Sequence, residues 1–140
     1  MTARFETKAL PARPDAVAPD GSHVRVLLRV GRGSAAHFEL APGTTSIAVA
    51  HGHVDEIWYF LSGRGEMWRR DTTQEQIVPV GPGVCVTIPS GTRFQFRALG
   101  DEPLTAFGVT MPPWPDEGDA SPVEGRWAPT RPGGGRTAPG

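Results

Sequence analysis

Short apolar segments separated by turn-forming residues run through most of the chain. Nine of them can be delimited, at residues 22–30, 35–40, 44–50, 56–61, 66–70, 76–80, 84–88, 92–97 and 104–109. Almost no window of a dozen residues in this part of the chain lacks a glycine or proline, so amphipathic helices are not expected. Short strands at intervals of roughly ten residues predict an all-β fold, an antiparallel sandwich or barrel.

Glycine and proline are unevenly distributed along the chain. Residues 112–140 contain 13 of them, whereas the first 111 residues contain 20. We therefore predict an N-terminal segment (1–21), one barrel domain (22–111) and a Pro/Gly-rich tail (112–140). Because a solvated tail rarely carries tryptophans, Trp114 and Trp127 suggest that residues 112–128 lie in a groove of the barrel or of a second subunit. The last ten residues are expected to be disordered.

Charge and apolar content exclude several classes of partner. The chain has 14 basic and 15 acidic residues, a net charge of −1, and no basic run longer than Arg69 and Arg70. This balance predicts no nucleic-acid partner. The absence of an apolar run of about 18 residues or of a signal peptide predicts a cytoplasmic protein with no membrane partner. Cys85 is the single cysteine, and since no basic residue beside it would activate the thiol, we expect a buried core position.

His51, His53 and Glu56 form the one dense cluster of metal-ligating residue types in the sequence. In an extended segment residues i and i+2 share a face, so the two histidines are expected to point the same way, and a small bend brings Glu56 to them. Two imidazoles and one carboxylate with open positions are typical of non-haem Fe(II) and related sites. The cluster predicts one bound divalent transition metal, either Fe, Mn, Ni, Cu or Zn.

Two spaced motifs carry a family resemblance. The first contains Gly43, His51, His53, Glu56 and Gly63, with six residues between the last two. The second contains Gly83, five residues, Pro89-Ser90-Gly91, two residues, Phe94, three residues and Ala98. In order and spacing the motifs resemble those of the cupins over about residues 35–110. The resemblance implies a cupin-like barrel, that is, an antiparallel double-stranded β-helix or jelly roll.

The sequence departs from the cupin pattern in both motifs. Seven residues instead of five separate Gly43 from His51, and the interval between His53 and Glu56 is one residue shorter than the family's. Phe94 stands where cupins have a further metal-ligating histidine. A phenyl ring offers no donor and makes that wall of the pocket apolar, so the resemblance implies a metal set reduced to three residues.

Strand alternation predicts an aromatic interior around the cluster. Residues two and four positions after Glu56 share its face, so Trp58 and Phe60 are expected to point inward. Residues 57, 59 and 61 are then expected to face outward. Phe94 and Phe96 are the expected inward residues of the second motif. We assign Trp58, Phe60, Phe94 and Phe96 to the binding of a flat apolar or aromatic small molecule, with ordinary core packing as the alternative.

Three functions remain open from the sequence. The first is a metal-dependent cupin enzyme of oxygenase, isomerase, cyclase or lyase class, in which His37 or His23 is a conceivable substitute for the missing donor. The second is a metal-free cupin that binds or senses an apolar small molecule. The third is a metal-free enzyme with Glu56 or His53 as general acid or base. A homodimer is expected because the edge strands of a small barrel need covering and cupins commonly pair.

Overall fold

The described part of the chain, residues 4–115 and 119–130 of a computed structural model, contains eleven strands and no helix. The strands are β1 (Ala16–Val17), β2 (His23–Val30), β3 (Gly33–Leu40), β4 (Val49–His51), β5 (Asp55–Ser62), β6 (Arg64–Arg70), β7 (Glu75–Val80), β8 (Cys85–Ile88), β9 (Arg93–Leu99), β10 (Leu104–Met111) and β11 (Ala120–Pro122). They form two antiparallel sheets, ordered β1-β2-β3-β10-β5-β8 and β11-β4-β9-β6-β7. The predicted all-β, double-stranded β-helix fold is confirmed. No helix capable of crossing a membrane occurs in these residues.

Eight of the nine predicted segments become strands at nearly the predicted positions, and the exception is the segment 44–50. Only its last two residues belong to a strand, β4. The Ser46 hydroxyl accepts the Phe96 N–H at 3.0 Å, while the Ser46 N–H donates to the Phe96 carbonyl at 2.8 Å. The Ser46 hydroxyl therefore takes the place of a backbone carbonyl as the acceptor for β9, and regular strand pairing does not extend along residues 44–48.

The two sheets enclose an aromatic core centred on Trp58. Its ring stacks on Phe38 with the centroids 4.5 Å apart and meets Phe94 and Phe96 edge-on at 5.8 and 5.1 Å. Phe60 lies 6.1 Å from Trp58. All five rings are at most 2% exposed. Offset and edge-on pairs of this kind add to the stabilisation that comes from apolar burial itself.

The predicted alternation along β5 is confirmed. Trp58 and Phe60 point inward, whereas Ile57, Tyr59 and Leu61 face outward and are 40–46% exposed. The expected core position of Cys85 is wrong, because its side chain is exposed. Residues 86 and 88 are the inward members of the four-residue strand β8, so the same alternation places the cysteine outside.

Both ends of the described chain pack on the barrel. β1 pairs with β2, and after it comes the buried Asp20, whose Oδ1 accepts the N–H and the hydroxyl of Ser22 at 2.8 and 2.6 Å. At the other end, β11 pairs with β4. The described tail therefore lies on the barrel of its own chain, one of the two predicted arrangements. The predicted disorder of the last ten residues concerns 131–140, which lie outside the described residues.

One buried amide fastens the tail to the barrel. Gln95 is fully buried, and its Oε1 accepts the N–H groups of Arg126 and Trp127, both at 2.9 Å. Its Nε2 donates to the Trp127 and Ser46 carbonyls, both at 2.8 Å. The Arg97 guanidinium lies 4.2 Å from the Trp127 ring centre, a cation–π distance. The tail is thus held by side chains of β9.

Gly108 of β10 allows the aromatic stack to lie close to the sheet. A Cβ at this position would come within 2.6 Å of the Phe38 ring and 3.0 Å of Trp58. Its φ is not positive, so alanine meets a steric conflict but no backbone strain. We predict that Gly108→Ala lowers the free energy of unfolding by about 1–3 kcal/mol, the usual cost of overpacking, in urea denaturation.

Gly31 offers the matched control for this substitution. It also lacks a positive φ, and an added Cβ would meet nothing within 4 Å. Gly31→Ala should therefore leave the free energy of unfolding within about 0.5 kcal/mol of wild type. Equal losses in the two variants would show that the stack does not depend on the close approach at Gly108.

Candidate functional site

His51 and Glu56 form a buried acid–base pair inside the barrel. His51 ends β4 and Glu56 is the second residue of β5, and they are only 5% and 2% exposed. His51 Nε2 lies 2.6 Å from Glu56 Oε2, and Glu56 Oε1 accepts the indole N–H of Trp58 at 2.5 Å. Despite the short distance, Oε2 receives no well-directed hydrogen bond from the described residues. One oxygen of the carboxylate is therefore hydrogen-bonded to Trp58, and the other faces the His51 imidazole.

His53 points away from the acid–base pair. Its side chain is 89% exposed, and its Nδ1 lies 2.9 Å from Asp119 Oδ1. β4 ends at His51 and the chain bends at residues 52–53, so the two-residue alternation that would align the histidines does not extend to His53. Asp119 holds this bend, because its Oδ2 accepts the N–H groups of His53 at 2.9 Å and Val54 at 3.2 Å.

The residues present do not fit the predicted three-ligand metal set. The structure brings His51 and Glu56 together but leaves His53 at the rim. The Phe94 ring lies nearly parallel to the His51 ring, 5.8 Å away between centroids, and supplies no donor. Across residues 4–115 and 119–130, no three His, Cys, Asp or Glu side chains converge as a metal site would require. Metal binding stays a prediction.

The two histidines considered as substitute donors lie elsewhere. His37 is on β3, where it faces Arg25 and Phe107 of the neighbouring strands, and His23 of β2 is exposed. Neither lines the cavity beside the acid–base pair. Neither histidine therefore replaces the donor missing at Phe94.

Asp20 and Asp119, which belong to neither sequence motif, also lie close to the pair. Asp20 lines the same cavity as His51 and Glu56, and burial raises its pKa although hydrogen bonds from Ser22 oppose the shift. Asp119 Oδ2 lies 3.6 Å from His51 Nδ1. Burial acts to raise the pKa of Asp119, but hydrogen bonds to the bend at residues 53–54 hold it below its usual value. The imidazole thus has carboxyl groups on both sides.

These carboxyl groups also determine the charge of His51. Burial alone would lower the pKa of the imidazole, but the hydrogen bond and charge of Glu56, together with the charges of Asp119 and Asp20, outweigh this effect. The net result is a raised pKa. The structure therefore favours an imidazolium beside a carboxylate, a pair that can give and take a proton.

The cavity beside the pair is small and mostly apolar. Its volume is about 10 Å³, enough for roughly one water molecule. Of the four aromatic residues assigned to ligand binding, Trp58 and Phe94 line it, whereas Phe60 and Phe96 do not. The cavity is also lined by Trp114 of the tail, whose ring meets the edge of His51 at 6.5 Å. A substrate larger than water needs more room than this cavity offers.

Comparison with known families and structures agrees with the fold. A family model described as the cupin domain matches residues 36–110, which is 75 of the 140 residues. No significant match is found among curated proteins.

Several solved structures share the architecture at low sequence identity. An uncharacterised protein with a double-stranded β-helix domain from Klebsiella pneumoniae has a TM-score of 0.62 at 16% identity, with 89% of this chain and 100% of that chain covered. The capsular polysaccharide assembling protein CapF of Staphylococcus aureus has a TM-score of 0.65 at 19% identity, covering 84% and 32%. A predicted oxalate decarboxylase from Thermotoga maritima has 0.54 at 23%, covering 64% and 79%. These similarities establish the barrel only.

The raised pKa of His51 predicts a loss of stability with rising pH. The unfolded imidazole titrates near 6.5, and the folded state holds the proton more tightly. The stabilisation that comes from protonated His51 is therefore complete below pH 6.5 and is lost as the pH rises through the folded pKa. Urea unfolding between about pH 5.5 and 8.5 should show a steeper decline for wild type than for His51→Gln. Glu56→Gln, which removes the charge and keeps the shape, should also flatten the decline. If the free energy of unfolding fell equally steeply with pH in all three proteins, the raised pKa of His51 beside Glu56 would be contradicted.

Restoring a histidine at position 94 should create a metal site. The position is buried beside His51, so Phe94→His adds a donor next to the pair, and three converging donors suit Zn²⁺ or Fe²⁺. We expect this variant to bind Zn²⁺ at least about tenfold more tightly than wild type in titration calorimetry.

Phe96→His is the matched control for that experiment. It places an equally buried imidazole two residues along β9, but Phe96 does not line the cavity. Circular dichroism would verify that both variants fold. Equal Zn²⁺ affinity in the two variants, or tight binding by wild type through His51, His53 and Glu56, would contradict the two-donor geometry.

Proposed function

Because the chain belongs to the cupin family, we propose that its barrel serves a small molecule and that it is a metal-independent enzyme of proton transfer. Glu56 is the general base and His51 the general acid. The observation that carries the proposal is the buried Glu56 Oε2, which lies 2.6 Å from an imidazole and lacks a well-directed hydrogen bond among the described residues. A carboxylate kept in this state is poised to accept a proton.

The proposed step is an isomerisation in which the substrate loses one proton and gains another. Glu56 Oε2 takes a proton from the substrate, and the electron pair of the broken bond stays on the substrate. The imidazolium of His51 donates its proton to a second substrate atom, commonly an oxygen on which charge develops. Proton transfer from Glu56 to His51 then restores the starting state, so no oxidant or reductant is consumed.

The surroundings of the pair support this chemistry. Phe38, Trp58 and Phe94 line the cavity and exclude bulk water, which strengthens electrostatic interactions and limits proton loss. Trp58 fixes the carboxylate through Oε1, and Oε2 lies between the imidazole and the cavity. Asp119 on the Nδ1 side favours the protonated imidazole. His53, the other candidate for acid–base catalysis, lies outside this enclosure.

A binding protein without turnover is the second candidate. The small cavity of about 10 Å³ favours it, since a filled barrel interior leaves little room for reaction at the pair. The metal-dependent enzyme, the homodimer and the cytoplasmic location remain predictions from the sequence.

Solvent deuterium exchange tests the proposal. The protein, purified without a His-tag and kept in excess chelator, would be incubated in D₂O with aryl α-hydroxy ketones, 2-hydroxyacetophenone first, and exchange at carbon followed by NMR. We expect exchange by wild type and a loss of about 10²-fold or more in Glu56→Gln and His51→Gln, the usual contribution of general acid–base catalysis.

His23→Gln is the control, because it also removes an imidazole but at an exposed position on β2. It should exchange at the wild-type rate. Exchange that survives Glu56→Gln, or that requires an added metal, would contradict the mechanism. No exchange with any ketone, together with measurable binding of one, would favour the binding protein.

A further inference from the structure

An apolar groove outside the barrel interior lies next to the acid–base pair. It has a volume of about 580 Å³, within the range of small-molecule sites. It is lined mainly by residues of β1, β2 and β3 and by the tail residues Trp114, Pro115, Asp119 and Ala120. The apolar side chains along it include Val17, Val24, Val26, Leu27 and Leu28. This groove, and not the aromatic interior, has the size that a substrate body requires.

The groove and the small cavity meet at the Trp114 side chain. Both are lined by Ala18, Pro19, Trp114 and Ala120. Toward the interior the Trp114 ring lies 5.7 Å from Phe38 and 6.5 Å from His51 between ring centres. The Trp114 indole is therefore one of four residues that separate the groove from the cavity, and a ligand seated in the groove would reach the acid–base pair if this side chain turned.

The inner end of this combined site has more acidic than basic groups. Glu56 Oε2 and His51 Nδ1 have no well-directed hydrogen bond from the described residues, and the Asp20 carboxyl group lines the same cavity. His51 is the single basic group there. A head group that donates hydrogen bonds would satisfy these oxygens, whereas a carboxylate would meet two carboxyl groups against one imidazole.

The charged residues at the groove also disfavour an anionic ligand. Glu6, Asp119 and Arg29 are the charged side chains among its lining residues, two acidic and one basic. The rim therefore does not attract an anionic ligand. An apolar body is consistent with the side chains between the rim and the inner end.

We propose that the groove and the cavity together bind an amphipathic small molecule, with its apolar body against β1–β3 and a hydroxyl or amine head group at Glu56. The inference rests on the proposed function only in that this head group would be the part of the substrate on which the acid–base pair acts. Binding itself does not require turnover.

Three ligands that share one apolar body test the head-group preference. 4-Phenylbutanol, 4-phenylbutylamine and 4-phenylbutyrate would be titrated into the protein by calorimetry at neutral pH. We expect the alcohol and the amine to bind about tenfold or more tightly than the carboxylate, the ratio that one lost hydrogen bond and an unfavourable charge produce. Glu56→Gln should reduce this ratio to less than about threefold, because its amide no longer presents a charged acceptor.

Val26→Asp tests the groove, with Ile57→Asp as the matched control. Both residues are β-branched, lie on strands and are about half-exposed, Val26 at 51% and Ile57 at 40%. Only Val26 lines the groove. Val26→Asp should lower the affinity for 4-phenylbutanol by about tenfold, and Ile57→Asp should leave this affinity unchanged. Circular dichroism of each variant checks that the fold is kept.

Each result bears on one part of the proposal. Equal affinity for the three ligands would overturn the head-group preference, and unchanged binding in Val26→Asp would overturn the groove. A lack of binding by any ligand would overturn both. Preferential binding without deuterium exchange would contradict the proposed enzyme but leave this site standing, so the two failures are distinguishable.

Discussion

A carboxylate enclosed by aromatic rings is the constraint on which the rest of this structure depends. A charge at Glu56 is costly to bury unless partners compensate it. Trp58 donates a hydrogen bond to one oxygen and His51 brings a basic ring to the other. Trp58 in turn keeps its position by stacking on Phe38 above Gly108. The aromatic core and the acid–base pair are therefore joined through Trp58.

Strand alternation allowed much of the barrel to be predicted from the sequence. The inward positions of Trp58 and Phe60 follow from it, and so does the exposed position of Cys85, which was missed because the cysteine was judged by its chemistry instead of its place beside Val86. The prediction fails where the backbone leaves the strand. His53 lies on a bend, so the rule that would align it with His51 has no basis there.

The remaining residues of the site could not be found from local patterns. Asp20 and Asp119 belong to segments predicted to lie outside the barrel domain, and neither stands in a motif. Packing of the chain ends brings them to His51, and a single sequence contains no periodic signal for such packing. The glycine and proline content of the tail does not show which side chains the barrel will hold.

The long sequence distance between the parts of the site has a consequence for biosynthesis. Asp119 binds the backbone of His53 across 66 positions, and Thr130 binds Thr45 across 85. Contacts of such high sequence separation form late, because the closure of a long loop must come first. A nascent chain therefore assembles its hairpins before the segment carrying Asp119 has left the ribosome. Pairing of β10 with β3 itself spans 64 to 76 positions, so the barrel and the surroundings of His51 both depend on residues beyond 103 and are completed late in synthesis.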